Sequence, residues 1–265
     1  MSVRIEKSGP VWTVIHSRPE ARNAVDPESA RALYDAFLAF DADPKASVAV
    51  FWGEGGAFCA GYDLKSASAD AATDPFAGLE FNEDGSKPSR GPMGPSRLML
   101  SKPVIAAIEG PAVAGGMELA LWCDVRVMAE SAYMGVYCRR WGVPLIDGGT
   151  VRLPRLVGQG RALEIILTGR KVEAEECGRI GLAERIVRHG TARREAEALA
   201  AEIARFPQAC VRADRMNVYL THGLEVGDAL AVEWATSADV FRAEGLAGAT
   251  RFASGKGRGG DFGDI

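Results

Sequence analysis

A carboxylate and two glycines occupy the start of an otherwise apolar helix pattern in IEGPAVAGGMELALWCD, residues 108–124. Gly115 and Gly116 lead into this helix, whose first N–H groups are unpaired and carry the positive end of its dipole. Glu118 follows in the first turn, where burial disfavours its anion and the helix terminus favours it. That balance suits a proton carrier facing a substrate pocket. A solvent-facing Glu that only stabilises the dipole is the alternative.

A second glycine-rich turn follows a β-rich run in VAVFWGEGGAFCAGYDLK, residues 48–65. Cys59, Ala60 and Gly61 are small enough for a ligand to approach the backbone N–H groups closely. If donors from this turn and from the first converge on one point, they form an oxyanion hole, which stabilises developing negative charge on a carbonyl oxygen. For each turn alone, a tight connection that simply needs glycine is an equal alternative.

Composition excludes several functional classes. The 265 residues carry a formal net charge of −4, so no global basic field favours nucleic acid or an anionic membrane. The five cysteines include no C-x-x-C pair, which favours reduced thiols in a cytoplasmic protein. The N-terminus lacks a cationic start with an apolar run, and no apolar stretch approaches about 18 residues, so we expect neither export nor a membrane span.

Several cofactor chemistries lack their sequence signals. No dinucleotide-binding, P-loop, zinc-protease or nucleophile-elbow motif is present. His16, His189 and His222 are isolated in the sequence, which leaves few residues for a metal or Ser-His mechanism. We therefore expect no metal and no redox cofactor.

Strand and helix patterns alternate through residues 1–190, which predicts crossover units in an α/β core. A strand pair should turn at residues 8–10, and a helix should run from Asp26-Pro27 to about Phe40. The other predicted elements are strands at 47–53, 102–110 and 124–130 and helices near 115–122 and 158–168. Residues 191–254 are helical by period, 255–265 form a Gly-rich tail, and 66–96 form a long loop typical of a lid.

Four segments resemble the crotonase superfamily, also called the enoyl-CoA hydratase/isomerase family: RPEARNAVD, AFCAGYDL, AVAGGMELALWCDVRV and GVPLIDGGTVRLPRLVG. The resemblance extends from about residue 3 to residue 254. It implies a spiral of ββα units over residues 1–190 with the acyl-CoA site, and a C-terminal helical trimerisation region over 191–254. It also implies homotrimers, often stacked as hexamers.

The resemblance assigns roles to individual residues. The N–H groups of Ala60 and Gly115 match the oxyanion hole for a thioester carbonyl, and Glu118 matches the first of two catalytic glutamates. Cys138 occupies the position of the second glutamate, so a two-glutamate hydration mechanism is in doubt. Asp147 in LIDGGT lies where some members carry a functional aspartate, although it could instead cap the following helix. A nucleophilic Cys138, activated by neighbouring arginines, is a further alternative.

Coenzyme A is polyanionic, and an acidic protein must bind its phosphates locally. The family pattern implies Arg22, Lys65 and a C-terminal residue such as Lys256, which a neighbouring subunit could donate. We therefore expect an enoyl-CoA hydratase or double-bond isomerase whose coenzyme A arrives as part of the substrate. The alternatives are a C–C bond-forming or bond-cleaving enzyme, a thioester hydrolase, and a catalytically weakened acyl-CoA-binding protein.

Overall fold

A six-stranded sheet forms the centre of the molecule. The computed structural model describes residues 2–69, 74, 76–81, 90–257 and 259. Strands β1 (Val3–Ser8) and β2 (Val11–His16) form an antiparallel hairpin. The remaining strands run parallel to β2 in the order β1-β2-β3-β4-β6-β9, and they are β3 (Val48–Gly53), β4 (Val104–Ile108), β6 (Val125–Ala129) and β9 (Arg185–Val187). Strands β2 and β4 are buried along their whole length, which explains their nearly continuous apolar sequence.

A three-stranded sheet lies beside the first one. It contains β5 (Ala112–Val113), β7 (Tyr133–Gly135) and β8 (Lys171–Glu173), with β5 parallel and β8 antiparallel to β7. A single bridge between Cys59 and Ala112 connects β5 to the glycine-rich turn that follows β3. The small sheet thus brings the two glycine-containing turns together.

Helices cover both faces of the main sheet. In sequence order they are α1 (Pro27–Ala42), α2 (Leu64–Ala69), α3 (Gly115–Trp122), α4 (Gly149–Val157), α5 (Gln159–Thr168), α6 (Ala174–Arg179), α7 (Ala192–Ala204), α8 (Gln208–Leu220), α9 (Val226–Val240) and α10 (Leu246–Ala253). Asp26 caps α1 by accepting a hydrogen bond from the Ser29 N–H at 2.8 Å. The ring of Phe37 then packs edge-on against Phe51 of β3 and Trp122 of α3. This aromatic cluster fixes α3 against the sheet.

The C-terminal helices differ in how far they enter the core. Helix α7 packs through Ala196, Leu199 and Ala200 on the face of the sheet opposite α1, so it is continuous with the core despite the predicted boundary at residue 190. Helix α8 docks through Arg215 and Tyr219, which both hydrogen-bond Asp124. Helices α9 and α10 contain no buried residue and expose large apolar side chains, namely Val226, Leu230, Trp234, Leu246 and Phe252.

The predicted elements are confirmed within one or two residues of their ends, and α3 begins and ends where the sequence placed it. The sequence missed the short strands β5, β7, β8 and β9 and the short helices α2 and α6. Parts of two predicted segments lie outside the described residues. They are residues 70–73, 75 and 82–89 of the lid and most of the tail from residue 258 onward. No helix in the described ranges combines the length and the hydropathy needed to cross a bilayer.

Candidate active site

A cavity lies between the turn after β3, the start of α3 and the segment 137–147. Its wall is mainly apolar, and among the described residues it includes two carboxylates, Glu118 and Asp147. Four aromatic side chains also line it: Tyr62, Phe76, Tyr137 and Trp141. An apolar cavity with a few convergent polar groups is the usual form of a small-molecule site.

The two glycine-containing turns are in direct contact at this cavity. The Val113 N–H donates to the Cys59 carbonyl at 3.0 Å, and the Cys59 N–H donates to the Pro111 carbonyl at 3.1 Å. A Cβ on Gly61 would lie 2.9 Å from the Ala114 Cβ and 3.2 Å from the Gly115 nitrogen. Gly61 therefore allows the first turn to approach the N-terminus of α3, a reason for glycine in addition to the ligand approach that the sequence predicted.

Two backbone N–H groups at this contact, those of Tyr62 and Gly115, have no acceptor within the described part of the chain. The Ala60 N–H, in contrast, donates to the Arg22 carbonyl at 3.0 Å. This hydrogen bond contradicts the expectation that Ala60 is a free oxyanion donor, because its N–H group is already used. Ala114, just before Gly115, holds a φ of 54°, a conformation that costs energy for a residue with a Cβ and is often found at functional sites.

Glu118 is held in the cavity wall by backbone donors. Its side chain is buried, and Oε1 accepts hydrogen bonds from the Asp147 N–H at 2.9 Å and the Gly149 N–H at 2.8 Å. Burial, and then the negative charge of Asp147, raise the pKa of Glu118 to about 7, against the opposing effect of the two N–H donors. Near neutral pH, Glu118 can therefore give or take a proton, and these contacts leave Oε2 for a ligand.

Asp147 faces the same cavity. Its buried carboxylate accepts hydrogen bonds at Oδ1 from the Met93 N–H at 3.1 Å and from the Ser96 hydroxyl. Burial raises the pKa of Asp147, and these two donors oppose the shift. Helix α4 begins after Gly148 without any side-chain cap, so the alternative that Asp147 is a helix cap is wrong.

Cys138 also lines the cavity and is buried. Burial, followed by the negative charge of Glu118, raises the pKa of its thiol, and Arg139 opposes the shift only in part. Arg139 donates to the Ile166 carbonyl, while Arg140 stacks 4.0 Å above the Tyr137 ring. These arginines do not make Cys138 a thiolate, and a neutral thiol is a poor nucleophile.

The basic residues predicted to bind coenzyme A lie outside the cavity wall. Arg22, Lys65 and Lys256 are exposed. The carbonyl of Arg22 contacts the Ala60 N–H, and Lys65 lies in α2, directly after the turn that contains Tyr62. Arg22 and Lys65 therefore flank the first turn. Lys256 follows α10.

The sequence did not identify the donors that orient the two carboxylates. Ser96 and Met93 lie in a stretch of small, Gly and Pro residues without a recognisable motif, and Arg152 is one of two arginines in RLPRL. Their roles arise from contacts across more than 50 residues of sequence, as in the Met93 and Ser96 bonds to Asp147. No spacing pattern reveals such a contact.

The chain is similar to proteins of known family over nearly its whole length. Residues 6–244 match the family model described as enoyl-CoA hydratase/isomerase. The enoyl-CoA hydratase EchA19 of Mycobacterium tuberculosis is 34% identical over 244 residues, which is 89% of this chain and 87% of that protein. A carnitinyl-CoA dehydratase of Salmonella typhi is 36% identical over 209 residues, covering 76% of this chain and 74% of that protein.

Solved structures show the same architecture. The crystal structure of an enoyl-CoA hydratase from Mycobacterium tuberculosis superposes with a TM-score of 0.86 at 33% identity, covering 96% of each chain. That of an enoyl-CoA hydratase from Mycobacterium marinum gives a TM-score of 0.86 at 31% identity, again over 96% of each chain. The expected crotonase fold, a mixed α/β core with C-terminal helices, is confirmed.

Proposed function

This chain belongs to the enoyl-CoA hydratase/isomerase (crotonase) family, and from that premise we propose that it adds water to the double bond of an enoyl-CoA or shifts such a double bond. The reaction passes through a thioester enolate. One observation carries the proposal: Glu118 and Asp147 line the same cavity as Gly115 and Tyr62, whose N–H groups have no acceptor among the described residues. Relatives whose names state hydration or dehydration of acyl-CoA thioesters support it.

The two backbone donors act on the thioester oxygen. When a nucleophile adds at the β carbon, or a proton leaves the α carbon, negative charge moves to this oxygen. The N–H of Gly115 begins α3, and the N–H of Tyr62 lies in the turn packed against it, so both can donate to one oxygen. Fixed donors of this kind stabilise the enolate more than the ground state. Tyr62 thus takes the role that the sequence assigned to Ala60.

The two carboxylates divide the proton transfers of hydration. The anion of Asp147, supported by the Ser96 hydroxyl and the Met93 N–H, accepts a proton from water as its oxygen bonds to the β carbon. Glu118, partly protonated near neutral pH, gives its proton to the α carbon. The net reaction adds one water to the double bond. It leaves Asp147 protonated and Glu118 ionised, and proton exchange with solvent then restores the starting state of the pair. Cys138, at the position of the second glutamate, lines the cavity as a neutral thiol.

Asp147→Asn is expected to lower kcat for hydration by about 10²-fold, because an amide cannot accept the proton of water. The amide oxygen can still accept from Met93 and Ser96, so the melting temperature should change little. Steady-state kinetics with thermal melts measure both, and Asp214→Asn, at an exposed position of α8, is the matched control. A kcat within twofold of wild type, on a substrate that requires Glu118, would instead favour an isomerase that uses one carboxylate.

Other reactions of the same fold remain alternatives: C–C bond formation or cleavage, thioester hydrolysis, and acyl-CoA binding without turnover. A panel of unsaturated, 3-hydroxy and 3-oxo acyl-CoAs, followed by mass spectrometry, separates them by product. Interconversion of enoyl-CoA and 3-hydroxyacyl-CoA supports the hydratase. Saturable binding with no product from any member supports a binding protein and overturns the proposal.

We further propose that Arg22, Lys65 and a C-terminal residue such as Lys256 bind the phosphates of coenzyme A.

We also propose that the protein is a homotrimer or a dimer of trimers, and that it is located in the cytoplasm. The exposed apolar side chains of α9 and α10 support assembly. Buried, unpaired thiols such as Cys59 and Cys177 fit a reducing compartment. Light scattering at micromolar concentration should give a trimer or hexamer mass, and a monomer mass would contradict the assembly.

A further inference from the structure

Arg152 of α4 lies behind the carboxylate of Asp147. Its Nη1 donates to the Asp147 carbonyl at 2.9 Å, and its Nη2 donates to the Ser96 carbonyl at 2.7 Å. The Ser96 hydroxyl in turn donates to Asp147 Oδ1. A single planar guanidinium therefore joins the two chain segments whose hydrogen bond orients the Asp147 carboxylate.

The guanidinium of Arg152 also lies beside the backbone segment whose N–H groups bind Glu118. Residues Asp147 and Gly149 supply the two N–H groups that bind Glu118 Oε1. Between them, Gly148 has a φ of 100°, and a Cβ there would lie 2.1 Å from Arg152 Nη1. The guanidinium thus lies directly over Gly148, and the absence of a side chain at this position permits the contact.

The positive charge of Arg152 has no carboxylate partner of its own. The ion pairs of the described residues do not include it, and both of its side-chain acceptors are backbone carbonyls. Its charge acts on both Glu118 and Asp147 and lowers the pKa of each, against the effect of burial. The other ionisable groups that interact with this pair are Arg97, which favours the Asp147 anion, and two thiols. In addition to burial, the negative charge of Asp147 raises the pKa of Cys59, and that of Glu118 raises the pKa of Cys138.

We propose that Arg152 is a positioning residue, which aligns Asp147 and the donors of Glu118 and whose unpaired charge prevents the two carboxylates from both holding a proton. The inference deepens the proposed function and rests on it for its catalytic meaning. A purely structural arginine would hold the segments together without affecting the titration of Glu118. That difference is measurable without any substrate.

The test is a titration of side-chain carboxyl signals by NMR in protein labelled with ¹³C-glutamate. The signal that titrates near pH 7 and disappears in Glu118→Gln belongs to Glu118. Arg152→Gln should raise its pKa by about one unit, since a nearby positive charge is removed. Arg152→Lys, which keeps the charge but loses the planar fork, should leave this pKa near that of wild type while kcat falls about tenfold. Arg155→Gln, exposed on the same helix, is the matched control and should change neither.

Arg152→Met provides a second route if Arg152→Gln does not fold, because it keeps an unbranched apolar stem and removes the same charge. It should also raise the pKa of Glu118. An unchanged Glu118 titration in a natively folded Arg152→Gln or Arg152→Met protein overturns the proposal. Because the titration uses no acyl-CoA, this result is independent of turnover. A wild-type protein that processes no acyl-CoA would overturn the proposed function instead.

Discussion

Glu118→Gln should lower kcat for enoyl-CoA hydration by about 10⁴-fold, the upper range for loss of a general acid or base. The amide oxygen of glutamine can still accept hydrogen bonds from the N–H groups of Asp147 and Gly149, so the loop 147–149 should keep its position. Glutamine cannot, however, give a proton to the α carbon. Steady-state rates of the two proteins, measured with an acyl-CoA that the wild type turns over, provide the comparison.

The pH dependence supplies a second readout for Glu118. Because its pKa is about 7 and hydration requires its protonated form, kcat for hydration should fall as pH rises through neutrality. The reverse dehydration needs the same single proton on the pair, held by Asp147 while Glu118 is ionised. Its rate should therefore also fall as pH rises through neutrality, since hydration takes up no net proton and its equilibrium does not depend on pH. Glu130→Gln, away from the cavity, serves as a control and should keep both profiles. A Glu118→Gln rate within tenfold of wild type would contradict the proton-carrier role.

Tyr62→Pro should lower kcat by about 10²- to 10³-fold, because proline lacks the N–H that we assign to the enolate oxygen. Binding of the acyl-CoA should weaken much less, since the donor matters most when charge develops in the transition state. Isothermal titration gives the affinity and steady-state kinetics give kcat.

The matched control for this donor is Tyr62→Ala, which keeps the N–H and removes the ring. The ring contacts Phe76 at the cavity, with centroids 6.2 Å apart, so alanine should affect affinity more than kcat. Native-like melting of Tyr62→Pro must accompany the comparison. Equal kcat values in a folded Tyr62→Pro protein and in Tyr62→Ala would remove Tyr62 from the oxyanion site.

The fold was predictable where local patterns are strong. Nearly continuous apolar runs between turn residues located α3 and the central strands, because these elements are buried on all sides. The Asp26-Pro27 start signal located α1. Strands of two or three residues such as β5 and β9 are too short to give a recognisable run, and they form because neighbouring segments offer hydrogen bonds. Tertiary contacts, which a local pattern does not contain, decide these elements.

The sequence predicted which residues line the cavity better than it predicted which of their N–H groups are free to bind a ligand. Glu118, Asp147, Cys138 and Gly115 do line one cavity, as the motifs indicated. Among the described residues the N–H without an acceptor lies on Tyr62, two residues after the Ala60 that the motif indicated, because a glycine-rich motif does not reveal which N–H group is already bonded. That choice depends on the Arg22 carbonyl, 38 positions away from Ala60 in the sequence. Arg152 was missed for the same reason, since the positioning role that we propose for it depends on contacts to backbone carbonyls.

The most direct test of the central claim is isotope incorporation from solvent. Short, medium and long enoyl-CoAs are incubated with the wild-type protein in deuterium oxide, and the products are analysed by mass spectrometry and NMR. The account predicts a 3-hydroxyacyl-CoA that carries one deuterium at the α carbon, and a loss of this incorporation in Glu118→Gln. Enoyl-CoAs that bind saturably, yet return without added water and without deuterium at any carbon, would contradict it.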